Sequence, residues 1–211
     1  MKLAVLGATG ATGQLFTAAA LAAGHEVSAL VRSAERLQQH PGLNAVVGDA
    51  RDADAILRTT RGAGALVSTI GSGSSRNPDN LILDTTQAIV TATSQSELRR
   101  VVVQSAFGVG ESYSKASFLM HVGYRLAPGM FIDKAAGEQV LRASGLNWTI
   151  VYPGILTNRR KTGKVTATDL TDLRRLPGMP RISRADVADF LLDTATNGSW
   201  SRRIAVLTVH K

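Results

Sequence analysis

Short apolar runs alternate along the chain with longer stretches in which apolar residues recur every three or four positions. The short runs predict β-strands at about 2–6, 26–31, 44–47, 64–68, 100–104, 148–151 and 203–209. The periodic stretches predict helices near 12–23, 33–39, 52–59, 78–95, 133–144 and 184–196. Regular alternation of strand and helix is typical of βαβ units, which build parallel sheets. We therefore expect an α/β fold: one domain over residues 1–211, with a doubly wound, mostly parallel sheet of about seven strands flanked by helices.

The first predicted strand ends in a turn that contains three glycines, Gly7, Gly10 and Gly13. A helical pattern follows at once, and this order presents backbone N–H groups to a phosphate at the helix N-terminus. The first glycine permits a tight turn, the second lets a pyrophosphate approach, and the third lets the helix pack against the strand. The spacing is Gly-x-x-Gly-x-x-Gly and differs from the usual Gly-x-Gly-x-x-Gly, so a tight turn without a ligand is the alternative. We expect a Rossmann fold that binds a dinucleotide.

Two loops interrupt the alternation of strands and helices. Residues 71–77 are rich in glycine and serine and follow the fourth strand, and residues 106–132 are long and irregular and follow the fifth. Both loops leave the carboxyl ends of strands, where open α/β sheets bind ligands. Because long loops in compact domains are usually functional, we expect a variable substrate loop at about 106–132. The candidates for its apolar lid, or equally for local core, are Phe107, Phe118, Met120 and Phe131.

The residue after the second strand bears on the choice of cofactor. An acidic residue there would hydrogen-bond the ribose 2′-hydroxyl of NAD, whereas Arg32 offers a guanidinium to the 2′-phosphate of NADP. We therefore expect NADP(H) to be preferred. After the third strand, the Asp49 carboxylate is placed to accept a hydrogen bond from the adenine amino group. The alternative is an N-cap of the helix that begins near Asp52, which is itself a candidate cap.

Composition narrows the function classes. Hydrophobic residues make up 44% of the 211 residues, enough for one sizeable core. No apolar run approaches the ~20 residues that span a bilayer, and the N-terminus leads straight into a strand without a signal peptide. We therefore expect a cytoplasmic protein with no membrane partner. The chain has no cysteine, which excludes disulfides and thiolate catalysis, and its 4 histidines lack metal-ligand spacing, so no metal is expected.

The formal net charge is +8, with 24 Lys and Arg against 16 Asp and Glu. The basic residues are scattered rather than gathered on one long helix, and few aromatic residues are present to stack bases. We interpret the charge as a solvated basic surface, with attraction of an anionic ligand such as a phosphate-rich cofactor as the alternative, and we expect no nucleic-acid partner. No helix stripe is apolar enough to decide between a monomer and a homodimer.

Several segments together carry a resemblance to a known family. They are the opening GATGATG, the VRS turn with Arg32, the GDA after the third strand, QSAFGVG after the fifth, and LRASGLNWTIVYPGIL. With them the chain resembles the atypical short-chain dehydrogenases/reductases, and more narrowly the biliverdin reductase B/flavin reductase group and the related NAD(P)H-binding, NmrA-like proteins. The closing ISRADVA at 182–188 is similar to the helix start that typically ends these domains. The resemblance is weakest between residues 108 and 132 and implies the fold and dinucleotide binding.

The resemblance also implies where the cofactor lies. Pyrophosphate belongs in the glycine turn, the 2′-phosphate at Arg32, adenine after the third strand, and ribose and nicotinamide after the fourth. The stretch from Ser105 to Phe107 matches the family's segment beside the nicotinamide, and Tyr152 with Pro153 matches the segment on its far side. The candidate cofactor-binding residues are Gly7, Ala8, Thr9, Gly10, Ala11, Thr12, Gly13, Arg32, Ser33, Asp49, Ala50, Ile70, Gly71, Ser72, Ser105, Ala106, Phe107, Lys134, Tyr152 and Pro153.

Proton transfer is the least defined part of the expected chemistry. Many short-chain dehydrogenases use a Tyr-x-x-x-Lys pair, in which the lysine lowers the tyrosine pKa so that the phenol exchanges a proton with the substrate. None of the 3 tyrosines here has a lysine four residues later, so this pair is absent. The candidate catalytic residues are Ser105, Lys134 and Tyr152. A serine hydroxyl orients a carbonyl or ring nitrogen but is a poor proton donor by itself.

Two of these positions bear on the comparison with relatives. Lys134 stands where related proteins place a ribose-contacting lysine or, in the biliverdin reductase group, a histidine. The alternative is a surface lysine paired with Asp133 or Glu138. Gly154 follows the proline at a position where the biliverdin reductase group typically has histidine, which argues against tetrapyrrole reduction.

We therefore expect an NADPH-dependent oxidoreductase that transfers hydride to a flat small-molecule acceptor such as a quinone or a flavin, with FMN or FAD as candidate substrates. Stacking on the nicotinamide is then the main requirement, since solvent protonates the reduced ring afterwards. The alternative is a non-catalytic NADP(H)-binding redox sensor or regulatory module of the NmrA type. A sugar-nucleotide epimerase or dehydratase is disfavoured because the chain has no substantial C-terminal substrate domain.

Overall fold

The computed structural model describes residues 1–71, 79–125 and 128–209. Of the predicted loop at 71–77, only Gly71 falls within these ranges, so the prediction for Ser72 lies outside the described residues. The strands are β1 (Lys2–Leu6), β2 (Glu26–Val31), β3 (Leu43–Val47), β4 (Ala65–Ser68), β5 (Arg100–Gln104), β6 (Asn147–Pro153), β7 (Ile155–Thr157), β8 (Val165–Asp169), β9 (Arg181–Ser183) and β10 (Arg203–Val209). The α-helices are α1 (Ala11–Ala22), α2 (Ala53–Thr60), α3 (Leu81–Ser94), α4 (Phe118–Tyr124), α5 (Pro128–Ala143) and α6 (Arg184–Asn197), and 3-10 helices cover Ala34–Arg36 and Gly110–Lys115.

Eight strands form one sheet in the order β3-β2-β1-β4-β5-β6-β10-β8. All neighbours in it pair in parallel except β8 and β10, which are antiparallel. From β1 the strand order runs outward in both directions, so the connections diverge between β1 and β4, and open sheets bind ligands at such a point. The predicted doubly wound, mostly parallel Rossmann-like fold is confirmed. Strands β7 and β9 form a separate parallel pair beyond the end of β6.

The sheet separates two hydrophobic cores, as the alternation along β1 demonstrates. Ala4 and Leu6 belong to the core that is covered by α2, α3 and α5. Leu3 and Val5 belong to the core covered by α1 and α6. All four side chains are fully buried. A strand covered on both faces has no polar side, which is why this strand appears in the sequence as a continuous apolar run.

The structure departs from the sequence predictions in the number of strands, in one helix and in one loop. The sheet has eight strands rather than about seven, because the half-buried, threonine-rich β8 has no apolar run and adds an antiparallel edge. The helix predicted at 33–39 is a single 3-10 turn. The loop predicted at 106–132 contains a 3-10 helix, α4 and the first residues of α5. Helix α5 begins at Pro128 rather than near 133 because proline suits the first position of a helix.

Helix α5 is fixed against α3 by a carboxylate and a glycine. The Asp133 carboxylate accepts hydrogen bonds from the backbone N–H groups of Ile82 and Leu83, each at 3.0 Å, and so caps the N-terminus of α3 from a neighbouring helix. A Cβ atom on Gly137 would lie 2.9 Å from Ile82 Cγ2, so only glycine allows this close approach. The contact determines which α5 side chains reach the ligand-binding end of the sheet.

The glycine turn between β1 and α1 is packed too tightly for side chains. Gly7 has a φ of +83°, in the left-handed region that favours glycine. A Cβ atom on Gly13 would overlap the Gly7 carbonyl oxygen and would lie 2.8 Å from Thr69 Oγ1. The third glycine therefore has the packing role that its position in the motif predicts.

A buried carboxylate fixes the loop between β7 and β8. Asp186, in the first turn of α6, accepts hydrogen bonds from the backbone N–H groups of Thr162 and Gly163 at 2.9 Å and from the Ser183 hydroxyl at 2.7 Å. Burial by itself raises the pKa of this carboxyl, but these hydrogen bonds outweigh that effect and hold the pKa below its usual value.

We predict that Gly13→Ala lowers the free energy of unfolding by about 2 kcal/mol or more, because the added methyl group has no space. Chemical denaturation measures the change. Gly145→Ala is the matched control, since an added Cβ atom there meets nothing within 4 Å. Equal stability of the two variants would contradict this account of the turn.

We also predict that Asp186→Ala costs roughly 2–3 kcal/mol of stability at neutral pH, because several donors lose a charged acceptor. A depressed carboxyl pKa contributes stability above the pKa of the unfolded chain, and this stability is lost as pH falls through the folded value. The difference between wild type and variant should therefore be full at pH 7 and shrink below about pH 4. Denaturation at several pH values measures it, with the exposed Asp172 as the control in Asp172→Ala. A pH-independent difference would count against the assignment.

Candidate functional site

A cleft of about 990 Å³ opens at the carboxyl ends of β1, β2, β4, β5 and β6, over the point where the strand order diverges. Its volume is in the range of small-molecule and cofactor sites. The residues that line it are Gly7, Thr9, Gly10, Ala11, Thr12, Leu30, Val31, Arg32, Arg36, Gly48, Asp49, Ala50, Arg51, Thr69, Ile70, Gly71, Leu81, Gln104, Ser105, Ala106, Met130, Lys134, Pro153, Gly154, Leu156 and Arg184.

The floor of the cleft is the N-terminus of α1. Gly10 is the N-cap residue, and in the described part of the chain no side chain caps this helix end. Ala11 and Thr12 follow it and also face the cleft. The first N–H groups of a helix have no partner within the helix, and the helix dipole adds positive potential there. This floor fits a phosphate or pyrophosphate, and the absence of side chains at the glycines leaves room for its approach.

One end of the cleft is basic. Arg32 and Arg36 line it, and both are exposed. Arg51 also lines it, but its guanidinium lies 3.6 Å from an Asp79 carboxylate oxygen and 3.5 Å from an Asp84 oxygen, so its charge is partly balanced. Neither Arg32 nor Arg36 forms an ion pair within residues 1–71, 79–125 and 128–209. These two guanidinium groups are suited to a phosphate ester.

Asp49 lies in the same part of the cleft. One of its carboxylate oxygens accepts a hydrogen bond from the backbone N–H of Arg51 at 2.8 Å, which leaves the other oxygen to face the cleft. Helix α2 is capped by Asp52, whose side chain accepts from Asp54 N. The N-cap of α2 is therefore Asp52 and not Asp49.

The other end of the cleft is less charged. Ser105, Ala106, Pro153 and Gly154 lie here, where β5 and β6 end, and Lys134 reaches it from α5. The side-chain oxygen of Gln104 is also buried here with no hydrogen-bond partner among the described residues. An unpartnered buried polar atom is costly, so it marks a place where a ligand's donor group would be stabilised.

A buried glutamate connects two of the predicted catalytic residues. Glu138 lies on α5, one helical turn after Lys134, and is 6% exposed. Its Oε1 accepts a hydrogen bond from the Ser105 hydroxyl at 2.5 Å, and its Oε2 accepts one from the Tyr152 hydroxyl at 2.5 Å. Tyr152 is fully buried, and its hydroxyl lies 3.5 Å from the Val109 carbonyl oxygen. The three side chains form one hydrogen-bonded unit behind the cleft wall.

Burial has the largest effect on the pKa values of Glu138, Tyr152 and the neighbouring Lys134. It raises the pKa of the Glu138 carboxyl, while the hydrogen bonds and the nearby Lys134 and Arg142 cations act in the opposite direction. Burial, reinforced by the Glu138 charge, raises the pKa of the Tyr152 phenol far above its usual value, so the phenol holds its proton. Burial lowers the pKa of the Lys134 ammonium, which the neighbouring Glu138 and Asp133 partly offset.

Most of the sequence-predicted cofactor-binding residues line the cleft, and a few do not. Ala8 and Gly13 are buried beneath the glycine turn, and Ser33 lies beside the cleft wall without lining it. Phe107 is part of the hydrophobic core. Tyr152 also does not line the cleft; it is connected to it only through Glu138 and Ser105.

The predicted aromatic lid is not present in the described residues. Phe107 and Met120 are core residues, and Phe131 packs against the same core, so the local-core alternative holds for them. Phe118 is 76% exposed and does not line the cleft. From the predicted loop, Ala106 and Met130 line the cleft, and Met130 was not among the predicted residues.

Sequence reasoning missed the role of Glu138 and the place of Arg184. Glu138 was considered only as a partner of Lys134, because its real partners are 33 and 14 residues away. Arg184 lines the cleft at the first position of α6, where its guanidinium donates to the Asn158 side-chain oxygen at 2.6 Å. The sequence shows only that Glu138 shares a helix face with Lys134, and not that it meets residues at the ends of β5 and β6.

Gly154 has a structural reason to be glycine. A Cβ atom there would overlap the Pro180 carbonyl oxygen, because the loop before β9 crosses directly over this position. A histidine at 154 would require that loop to move. The close approach of Pro180 therefore explains why this chain has glycine, and not histidine, at position 154.

Comparisons with known proteins identify the family. The family model described as NAD(P)H-binding matches residues 7–198. A curated relative from Bacillus subtilis, "Uncharacterized sugar epimerase YhfK", is 30% identical over 99% of this chain and 94% of its own length. No helix of the described residues is long and apolar enough to cross a membrane.

Solved structures share the fold. The oxidoreductase ylbE from Lactococcus lactis superposes with a TM-score of 0.84 at 20% identity, over 100% of this chain and 92% of its own. ChuY from Escherichia coli O157:H7, described as an anaerobilin reductase, gives 0.82 at 22% identity, over 99% and 97%. A short-chain dehydrogenase/reductase from Veillonella parvula in complex with NADP gives 0.82 at 19% identity, over 98% and 94%. These likenesses show a shared fold, and the matching family model shows that the chain belongs to the NAD(P)H-binding family.

Proposed function

We propose that this protein is an NADPH-dependent reductase that transfers hydride to a flat acceptor such as a flavin or a quinone. The observation that carries the proposal is the cleft itself, with an uncapped helix N-terminus and two arginines at one end and an open, weakly charged wall at the other. The first part suits a dinucleotide phosphate, and the second leaves room for an acceptor beside its reactive ring.

The residues present fit NADP(H). The N-terminus of α1 would hold the pyrophosphate, and Arg32 with Arg36 would hold the 2′-phosphate. Ala50 and the free oxygen of Asp49 would lie at the adenine, and Ile70 and Gly71 at the ribose. Bound there, the cofactor supplies hydride chemistry, and the protein supplies its position.

The chain's own groups at the acceptor end bind and orient. Ser105 presents a hydroxyl at the cleft wall, and the unpartnered Gln104 oxygen offers an acceptor beside it. Lys134 brings an ammonium group to this end of the cleft, and its positive charge would stabilise negative charge that develops on an acceptor. Burial lowers the pKa of this ammonium. Pro153, Leu156 and Met130 supply apolar surface for a flat ring.

The relatives support different parts of this proposal. The Veillonella parvula structure was solved with NADP, and ChuY is described as a reductase of anaerobilin. YhfK is called a sugar epimerase, which is a different chemistry. Hydride transfer to a flat acceptor is the better proposal here, because it depends mainly on stacking and not on the Tyr-x-x-x-Lys pair that the chain lacks.

The first test is NADPH oxidation, followed by absorbance, with FMN, FAD and a series of quinones as acceptors. We expect oxidation that depends on the added acceptor and that saturates. Tight NADPH binding with no oxidation across the panel would overturn the reductase and favour a redox sensor of the NmrA type. Interconversion of nucleotide sugars without net NADPH consumption would favour an epimerase instead.

The second test concerns the cofactor. We predict that Arg32→Gln weakens NADPH binding by about ten- to a hundredfold and leaves NADH binding unchanged, because only NADPH carries the 2′-phosphate. Isothermal titration with both cofactors measures this. Arg61→Gln is the matched control, since Arg61 is exposed and does not line the cleft. Tighter binding of NADH than NADPH by the wild-type protein would contradict the preference.

A further inference from the structure

At the acceptor end of the cleft wall, Lys134 brings a cation, and Ser105 is the neutral group that could hand over a proton. An acceptor that receives a hydride gains negative charge, and an oxygen atom on it then takes up a proton. Ser105 is the hydroxyl at that wall, but an isolated serine hydroxyl is a poor acid. The side chain that hydrogen-bonds to Ser105 therefore decides whether Ser105 can donate a proton to the acceptor.

The hydrogen-bond lengths indicate where the proton of the buried carboxyl resides. The Tyr152 phenol keeps its own proton and has two acceptors, Glu138 Oε2 at 2.5 Å and the Val109 carbonyl oxygen at 3.5 Å, and the shorter bond is the one to Glu138 Oε2. That oxygen is therefore occupied as an acceptor. When the Glu138 carboxyl is protonated, its proton lies on Oε1, and the atom next to Oε1 is Ser105 Oγ at 2.5 Å.

This arrangement determines the direction of the Ser105 hydroxyl. With Glu138 ionised, Ser105 donates its proton to the carboxylate and presents only lone pairs to the cleft. With Glu138 protonated, Ser105 Oγ accepts from Oε1 and its own proton is free to point into the cleft that it lines. The charge state of a buried side chain thus switches Ser105 between acceptor and donor.

We propose that Glu138 is the proton reservoir of the reaction and acts on the acceptor through Ser105. This inference rests on the proposed reductase function. As hydride adds to the acceptor, the electron pair displaced onto the acceptor oxygen takes the Ser105 proton, and Ser105 Oγ takes the proton of Glu138 Oε1. Glu138 is left as the carboxylate. After the product leaves, a proton from water in the cleft returns by the same two oxygens.

The charged groups around Glu138 allow both states. Lys134 and Arg142, on the same helix, stabilise the carboxylate, and burial favours the protonated acid. Glu111, from the 3-10 helix over the site, pairs with Arg142 at 3.0 Å and so reduces the influence of that cation on the carboxyl. Asp133, the next carboxylate on α5, is engaged with the N-terminus of α3.

The first test uses the protein without cofactor or acceptor, so it does not depend on activity. We expect the infrared difference between wild type and Glu138→Gln, recorded over a pH series, to change from the band of a protonated carboxylic acid to that of a carboxylate, and to do so above the usual pKa range of a glutamate carboxyl. A carboxylate band for Glu138 at every pH at which the protein reduces a quinone would overturn the proposal.

The second test compares two acceptors. Reduced flavin holds its negative charge over the whole ring and needs no proton in the hydride step, whereas a reduced quinone oxygen is a stronger base. We expect Glu138→Gln to lower kcat with a quinone at least ten times more than it lowers kcat with FMN. In wild type, kcat with the quinone falls as pH rises through the pKa of Glu138, and this pH dependence is absent in the variant.

A second variant separates proton supply from folding. Ser105→Ala breaks the path but leaves the Glu138–Tyr152 hydrogen bond, so the carboxylic-acid band should remain while kcat with the quinone falls as in Glu138→Gln. Full quinone activity in either folded variant would overturn the proposal. If the wild type oxidises NADPH with neither acceptor, the proposed function fails, and the infrared result still decides the protonation of Glu138.

Discussion

The close contact between the turn after β1 and the end of β4 is the constraint on which the site depends. Thr69 donates its hydroxyl to the carbonyl oxygens of Leu6 and Gly7, at 3.3 and 3.2 Å, and Gly13 packs on the same carbonyl group. This contact lets α1 begin directly above the sheet edge, so its N-terminus faces the cleft. It lies where the strand order diverges, so a ligand bound there touches both halves of the sheet.

A second constraint arranges the acceptor end. Helical periodicity places residues four apart on one face, and α5 carries two such pairs. Asp133 and Gly137 form the pair that docks on α3, one by capping it and the other by leaving room for it. Lys134 and Glu138 form the adjacent pair, turned by one residue toward the cleft and β5. The docking of two helices therefore aims the two ionisable groups of the site.

Local patterns predicted what depends on local structure. The parallel strands and the glycine turn follow from apolar runs and from residue size, so both were predictable. Strand β8 was not, because its sequence VTATD is half-buried and gains its place only by pairing with β10. The Glu138 unit was not predictable either, since its partners on β5 and β6 are distant in sequence. The cost of a side chain at Gly154 likewise depends on Pro180, which only the fold brings near.

The energetics of Glu138 separate its structural role from its chemical one. A buried carboxyl loses solvation that two hydrogen bonds repay only in part, which is why its pKa rises. An apolar side chain of the same size would avoid that loss but would leave the Ser105 hydroxyl without this acceptor and the Tyr152 hydroxyl with the more distant Val109 carbonyl oxygen. Replacement of all three by apolar groups would avoid both costs. The hydrogen-bonded unit is therefore not the arrangement that stability alone selects, and its distinguishing property is a buried carboxyl group one hydroxyl away from the cleft.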